Sequence, residues 1–368
     1  MLLLYSIISI CILIFLLCSI IVLSEKLLGF SGEVEVNVNS EKSFKAKKGV
    51  KLLPALAENN IYLPAACGSK GNCGRCRLKV ISGGGYPTAL EKIALSEKEL
   101  EEGLRLACQV KLRENINLDI PKELLNARNF NAKLIEIKDL AFKIKGLRFK
   151  LEDGEKLNFE AGQYIQITRE LPRENAVRAY SISSSPNIKD EFTLDVQLIE
   201  GGLMSSYLHS LKINTIISFC GSFGDMYVNS ENKFDNILLV AGGVGLAPMR
   251  SIISYLIDNS SKSKIILFHG VRSKKNLYCE NEYKKLQKDY SNFEYYPVLS
   301  EPALEDGWIG KTGLVTQALE EYLNEKKLFN ESLQAYLCGP SKMMEATTKL
   351  LIEKGVESNR IHSDPFSF

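Results

Sequence analysis

Three cysteines crowd into ten residues, Cys67, Cys73 and Cys76, and 31 residues separate Cys76 from a fourth, Cys108. A loop that brings three thiols to one place must curl tightly, and Gly68, Gly71 and Gly74 supply the positive φ angles and the close approach that this demands. Two chemistries use four thiolates. Structural zinc sites usually pair them as two C-x2–4-C knuckles, and the C-x5-C-x2-C run with a single distant partner does not. A [2Fe–2S] cluster needs two thiolates per iron and accepts an uneven supply. The spacing therefore reads as iron–sulfur rather than zinc, with the loop N–H groups free to hydrogen-bond the sulfurs and tune the potential. The nine cysteines of the chain are odd in number and unevenly spaced, unlike a secreted disulfide framework. Three histidines, His209, His269 and His362, are too few for a His-rich metal site.

The chain opens on an uncharged, almost wholly apolar stretch, Leu2 to Leu23. As a helix it would be about 33 Å long, the thickness of a bilayer's hydrocarbon core. Charge begins at Glu25 and Lys26, and Lys42, Lys45, Lys47 and Lys48 follow, with no basic residue in front. The positive-inside rule then predicts a single-pass anchor in the inner membrane with the body of the chain in the cytoplasm. A cleaved signal peptide is the competing reading; it lacks a basic start and a small-x-small cleavage site here. Lysine plus arginine total 46 against 44 aspartate plus glutamate, so the chain carries no basic field for nucleic acid.

Four parts are expected: an anchor over residues 1–24, a cluster domain over 32–121, a domain of short alternating strands over 124–232, and a final domain over 233–368. Glu33-Val-Glu-Val-Asn-Val alternates as a strand does, and Ser96-Glu-Lys-Glu99 is a capping box that should start a helix stopped by Gly103. In the third part the alternation suggests an antiparallel barrel. It holds Arg178-Ala-Tyr180-Ser181 at a strand end, Gly202-Leu-Met-Ser205-Ser206 at a helix start, and the turn Gly221-Ser-Phe223-Gly224. An arginine offers a fixed cation for phosphate, a tyrosine a flat face, and a helix start an anion site. In the last part, continuous apolar runs at 237–241, 264–268, 293–296 and 334–338 alternate with helical stretches and predict a parallel, doubly wound sheet. The first run leads into Gly242-Gly243-Val-Gly245-Leu-Ala-Pro248, where glycines admit a pyrophosphate; Pro248 takes the last glycine's place in the usual dinucleotide fingerprint. The fourth ends in Cys338-Gly339-Pro340. Gly310-Lys311-Thr312 imitates the tail of a phosphate loop, but Glu305 stands where its first glycine belongs, so it reads as a turn into a helix.

Taken together, these motifs resemble the ferredoxin-NADP reductase superfamily with an N-terminal plant-type 2Fe–2S ferredoxin domain. The resemblance implies a β-grasp (α+β) cluster domain with Cys67, Cys73, Cys76 and Cys108 as iron ligands, an FAD barrel, and an NADH domain. It implies that Tyr180 flanks the isoalloxazine, that Ser181 lies near its reactive nitrogen, and that Arg178, Gly202, Ser205 and Ser206 hold the phosphates. Gly242, Gly243, Gly245 and Pro248 would meet the nucleotide, and Cys338, Gly339 and Pro340 the nicotinamide. Phe366, with Phe368 second, would stack on the flavin; Ser181, Cys338 and Phe366 are the expected catalytic residues.

The five-residue first cysteine gap and the anchor are similar to the F subunits of Na+-translocating NADH:quinone reductases. That similarity implies membrane redox subunits as partners, with quinone reached through them. The ten residues between 168 and 177 are short for that family, which keeps open an anchored NADH-dependent reductase for an oxygenase or another redox partner. A non-catalytic assembly protein is disfavoured by the intact motifs. Lys274 and Lys275 leave NADPH as an alternative to NADH. Hydride arrives as an electron pair and a cluster takes single electrons, so a flavin must stand between them.

Overall fold

The uncharged opening coils into one helix, α1 (Leu2–Leu28). The computed structural model describes residues 2–28, 32–65, 67–71, 73–125, 127–169, 176–228, 234–326 and 332–366. The side chains of α1 that are described, 5–8 and 10–20, are all exposed. Ile12, Leu13, Ile14, Phe15, Leu16 and Leu17 are consecutive among them, so apolar groups leave the helix in every direction. Residues 5–20 amount to about 24 Å of helix, and among the described residues no helix is long and apolar enough to cross a membrane.

The chain divides into two units, residues 1–60 with 76–122, and residues 61–75 with 123–368. In the first, β1 (Glu33–Val38) alternates as expected and buries Val34, Val36 and Val38. It joins β2 (Lys42–Lys47), β3 (Arg77–Ser82), β4 (Leu104–Leu106) and β5 (Ile116–Asp119) in the order β2-β1-β5-β3-β4. The β1–β5 pair is parallel. Helix α2 (Leu52–Glu58) buries Leu52, Leu53, Ala55 and Leu56. Pro54 does not break it, because a first-turn N–H has no helical acceptor to lose. Two short helices, α3 (Ala89–Ala94) and α4 (Glu97–Glu101), each start on a full capping box, Thr88 with Glu91 and Ser96 with Glu99. Gly103, at φ 86°, takes the chain out of α4 as anticipated.

The second unit contains two sheets. After the short α5 (Lys122–Leu125), six antiparallel strands follow: β6 (Arg128–Ala141), β7 (Ile144–Leu151), β8 (Tyr164–Arg169), β9 (Ala176–Ser181), β10 (Glu191–Gln197) and β11 (Ile216–Phe223). Their order is β10-β7-β6-β11-β8-β9. Just beyond β9, Ile182 bridges Leu194 of β10, so the two outermost strands of the order meet. Phe149 stacks on Phe192 at 5.3 Å, and Phe219 meets Phe192 edge-on at 4.9 Å, in the core under this sheet. Arg169 pairs with Ala176, so β8 and β9 form a hairpin whose tip, 170–175, lies outside the described residues. Helix α6 (Leu203–Ser210) lies between β10 and β11 in the chain.

The other sheet is parallel: β12 (Asn236–Gly242), β13 (Lys264–Val271), β14 (Phe293–Leu299), β15 (Lys311–Thr312), β16 (Leu333–Pro340) and β17 (Ile361–Phe366), in the order β15-β14-β13-β12-β16-β17. Alternate residues of β12 enter different cores. Ile237, Leu239 and Ala241 pack with α7 (Leu246–Asp258), whose Met249, Ile252 and Ile253 face them, and with Tyr283 of α8 (Glu280–Asp289). Leu238 and Val240 pack with α9 (Val315–Lys326) and α10 (Ser341–Glu353) through Leu319, Leu323, Met344 and Leu351. Burial on both faces is why these strands read as unbroken apolar runs. The edge strands β15 and β17 carry no such run, and sequence patterning passed over them. Gly310-Lys311-Thr312 leads on to α9 as expected, but through the two-residue strand β15 where a turn was expected.

Candidate functional site

The four cysteines fall two in each unit. In the second unit Cys67 and Cys73 share a hydrogen bond between thiols, which with burial raises the Cys73 thiol well above its usual range. Gly68, Gly71 and Gly74 hold φ of 60°, 83° and 63°, so the loop curls by the residues expected to curl it. In the first unit the Cys76 carbonyl accepts from the N–H of Ala107 at 2.9 Å, beside the buried Cys108. Gln109 Nε2 donates to Cys108 Sγ at 3.2 Å. Among the described residues no group of three or more Cys, His, Asp or Glu is placed to hold a metal ion. Thiols are soft donors, and they suit iron and sulfide better than a hard cation.

Strand β9 and helix α6 carry the residues expected to meet a flavin. Arg178 donates from Nη1 to the Val177 carbonyl at 2.7 Å. Gly68 of the same unit packs so closely that any Cβ there would overlap Arg178 Nη1. Tyr180 is half-buried, and burial raises its hydroxyl above the ordinary range while the Arg178 charge opposes. Ser181 is buried opposite Tyr164 in the β8–β9 register. Helix α6 starts at Gly202 without a side-chain cap. Ser205 is buried, its Oγ accepting from the Ile199 N–H at 3.1 Å, so its hydroxyl serves the turn before the helix. Ser206 is exposed.

The parallel sheet reverses its winding between β12 and β16, and a cleft of about 900 Å3 opens over the carboxyl ends of its strands. Gly242 and Gly339 touch there. A Cβ on Gly339 would come within 3.0 Å of the Gly242 Cα, and one on Gly242 within 2.7 Å of Met343 Sδ. A Cβ on Gly245 would overlap the Cys338 carbonyl oxygen, whereas Gly243, at φ 56°, faces open space. Pro248 sits in the first turn of α7. Cys338 is fully buried; burial pushes its thiol up, the Asp364 carboxylate adds to this and Arg75 opposes. Arg272, Ser273 and Lys275 line the cleft, and so do Glu301, Glu305 and Asp306. Lys274 donates to the Asp306 carbonyl at 2.8 Å.

Two groups were not singled out by sequence reasoning. Arg75, from the cysteine loop, donates to Asp364 Oδ1 at 3.1 Å, and Asp364 pairs with Cys338 in the β16–β17 register. Burial raises the Asp364 carboxyl, against the pull of Arg75. An acidic residue two before the terminal aromatic was the available signal. The second is the buried pair of Asp195 and Arg250, 55 residues apart, which no local pattern announces. The backbone of Phe366 pairs with Pro340, and Phe368 lies outside the described residues.

A dinucleotide cleft at the switch point of a parallel sheet, in one unit with an antiparallel sheet whose strand end offers Tyr180 and Arg178, is the architecture of flavin-dependent pyridine-nucleotide oxidoreductases. The comparisons agree with this class. The chain matches the 2Fe-2S iron-sulfur cluster binding domain over residues 36–113, the oxidoreductase FAD-binding domain over 131–227 and the oxidoreductase NAD-binding domain over 239–349. Its fold is similar to the Amycolatopsis cytochrome P450 reductase GcoB, with TM-score 0.71, 27% identity, and 90% of this chain and 98% of that one covered. It is also similar in fold to the ferredoxin reductase of carbazole 1,9a-dioxygenase, with TM-score 0.69, 22% identity, and 91% and 99% covered.

Among curated proteins it is 33% identical, over 90% of this chain and 91% of the relative, to the F subunit of the Na(+)-translocating NADH-quinone reductase of Serratia proteamaculans. The chain belongs to the family of these F subunits, and its cofactors are FAD and a 2Fe–2S cluster.

Proposed function

We propose that this chain is the electron-input subunit of a sodium-translocating NADH:quinone reductase, taking electrons from NADH through FAD and a 2Fe–2S cluster to a membrane acceptor. The supporting observation is the thiol set, flavin strand and nucleotide cleft in one chain that is 33% identical over 90% of its length to an F subunit of such an enzyme. When bound, FAD supplies what a nicotinamide and a cluster lack between them, taking electrons as a pair and releasing them singly.

The residues divide that work. Cys67, Cys73, Cys76 and Cys108 hold the cluster. Tyr180 offers a flat face to the isoalloxazine, and Ser181 offers a hydroxyl. Arg178, Ser206 and the uncapped start of α6 at Gly202 take the flavin phosphates, with Ser205 shaping the turn. Gly242, Gly243 and Gly245 let the nucleotide backbone approach, and Pro248 starts the helix behind them. Cys338, Gly339 and Pro340 form the floor under the nicotinamide, and Phe366 covers the flavin from the chain's end. NADH over NADPH is supported by the F-subunit relatives, since the cleft is lined by Arg272 and Lys275 as well as by Glu301, Glu305 and Asp306.

On this reading the functional parts are 1–24, 32–121, 124–232 and 233–368. The Ile182–Leu194 bridge supports closure of the antiparallel sheet into a barrel. Leu2 to Leu23 anchors the chain once in the inner membrane with the rest on the cytoplasmic side, supported by its uncharged sequence and the lysines behind it. The likeness to the P450 reductase favours a second reading, an anchored NADH-dependent reductase serving an oxygenase or other redox partner.

Extraction of the full-length chain from its own membranes in mild detergent separates the two. The first reading predicts co-purifying polytopic subunits and sodium-stimulated NADH:quinone activity in those membranes. A chain recovered alone, with dye reduction by NADH and no effect of sodium, would overturn it in favour of the second.

A further inference from the structure

The flavin strand and the nucleotide loop must meet in register for hydride to pass, and apolar packing alone does not set a register. Ile144, Ala161, Met226 and Val228 join the core that α7 covers, and such contact holds surfaces together without direction. The Phe142 N–H donates to the Lys275 carbonyl at 3.0 Å away from α7, and α7 itself is given direction by two polar ties, one near each of its ends. Near its start, Arg250 Nη1 donates to Asp195 Oδ1 at 2.9 Å and to Oδ2 at 3.0 Å. The Asp195 side chain is wholly buried and also accepts from Ser183 Oγ at 2.9 Å. At its end, Asp258 Oδ2 accepts from Ser185 Oγ at 2.7 Å and lies 3.4 Å from Asn187 Nδ2. Arg250 and Asp258 are about 12 Å apart along the helix.

The Asp258 tie reaches the stretch that follows β9 directly, and the Arg250 tie reaches it through Asp195 of β10 and Ser183. Ser183 and Ser185 stand two and four residues beyond Ser181, and Arg250 stands five beyond Gly245. A buried ion pair is a costly way to gain stability, but it fixes one arrangement over its neighbours. We propose that Arg250–Asp195 and Ser185–Asp258 are positioning pairs. They fix the slide and rotation of α7 on the flavin strand, and so the distance from the nicotinamide C4 to the flavin. This rests on the reading above, in which the nucleotide lies at Gly242–Gly245 and the flavin at Tyr180–Ser181.

The test uses the full-length holoprotein and the variants Ser185→Ala, Arg250→Lys and Arg250→Met. Flavin reduction by NADH and by C4-deuterated NADH is followed by stopped flow, with bound FAD and the inhibition constant for AMP measured on each. Arg250→Met should slow reduction roughly ten- to hundredfold, since a misplacement near 1 Å has that effect. Ser185→Ala should slow it several-fold. Both should show an altered isotope effect with FAD content and AMP inhibition unchanged, and Arg250→Lys, which keeps the charge, should recover most of the rate. Wild-type rates and isotope effects in Ser185→Ala and Arg250→Met holoprotein would overturn the proposal. Absence of AMP inhibition or of flavin reduction in the unmutated protein would instead overturn the site reading beneath it.

Discussion

Gly245 shows how one missing side chain lets the start of α7 approach the end of β16. Its φ of −59° is open to any residue, so conformational freedom is not what requires glycine there. The requirement is space, since a Cβ would strike the Cys338 carbonyl and lie 3.0 Å from the Gly339 N–H nitrogen, backbone atoms with nowhere to go. Gly245→Ala should force the two loops apart, raise the KM for NADH at least tenfold and destabilise the fold by about 1–3 kcal/mol. Bound FAD should be unchanged; steady-state kinetics and flavin absorbance of the purified variant check both. At this scale the sequence was readable where neighbours in the chain act together, as Cys67, Cys73 and Cys76 do. It was not readable where partners are distant, as with Arg75 and Asp364, 289 residues apart. Ser205 shows a subtler limit: its place in the motif was clear, but that its hydroxyl turns back to Ile199 depends on the folded turn.

Elements in the first unit are pinned by a carboxylate. Glu91 is wholly buried, accepts from Arg105 Nε at 2.8 Å, and takes the N–H groups of Thr88 and Leu106 at 2.8 and 3.0 Å. It thereby ties α3 to β4. Burial works against its charge, but the hydrogen bond from Arg105 and those backbone groups outweigh it, and its pKa lies below the ordinary glutamate value of 4.5. A lowered folded pKa means that this stabilisation is complete above that value and is lost as pH falls through the folded one. Glu91→Ala should cost about 3–5 kcal/mol at neutral pH, because Arg105 is left buried with the carbonyls of Gly84, Gly85 and Tyr86 as acceptors but no counter-charge. Urea unfolding of wild type should weaken below about pH 4.5, and the variant should show a shallower slope there. An equal acid slope in both would count against Glu91 as the source. The Ser96 capping box was legible as a helix start, and Thr88-x-x-Glu91 carries the same signature. The buried strands were legible because both faces are covered, while β15, two exposed residues long, offered no pattern.

At the scale of the whole molecule, the chain combines a thiol set, a flavin strand and a nucleotide cleft in an order that matches a route from paired to single electrons. The order of these parts was readable because each has a local motif. The division into two units, which sets residues 61–75 apart from the rest of the cluster domain, was not, because it depends on contacts made across the chain. Electrons entering from NADH should leave through the cluster. An anaerobic NADH titration of the full-length holoprotein, followed by visible absorbance and electron paramagnetic resonance, tests it most directly. NADH should bleach the flavin and raise the signal of a reduced 2Fe–2S cluster, and Cys108→Ser should keep the first response and lose the second. A flavin fully reduced by excess NADH beside a cluster that stays oxidised would contradict it.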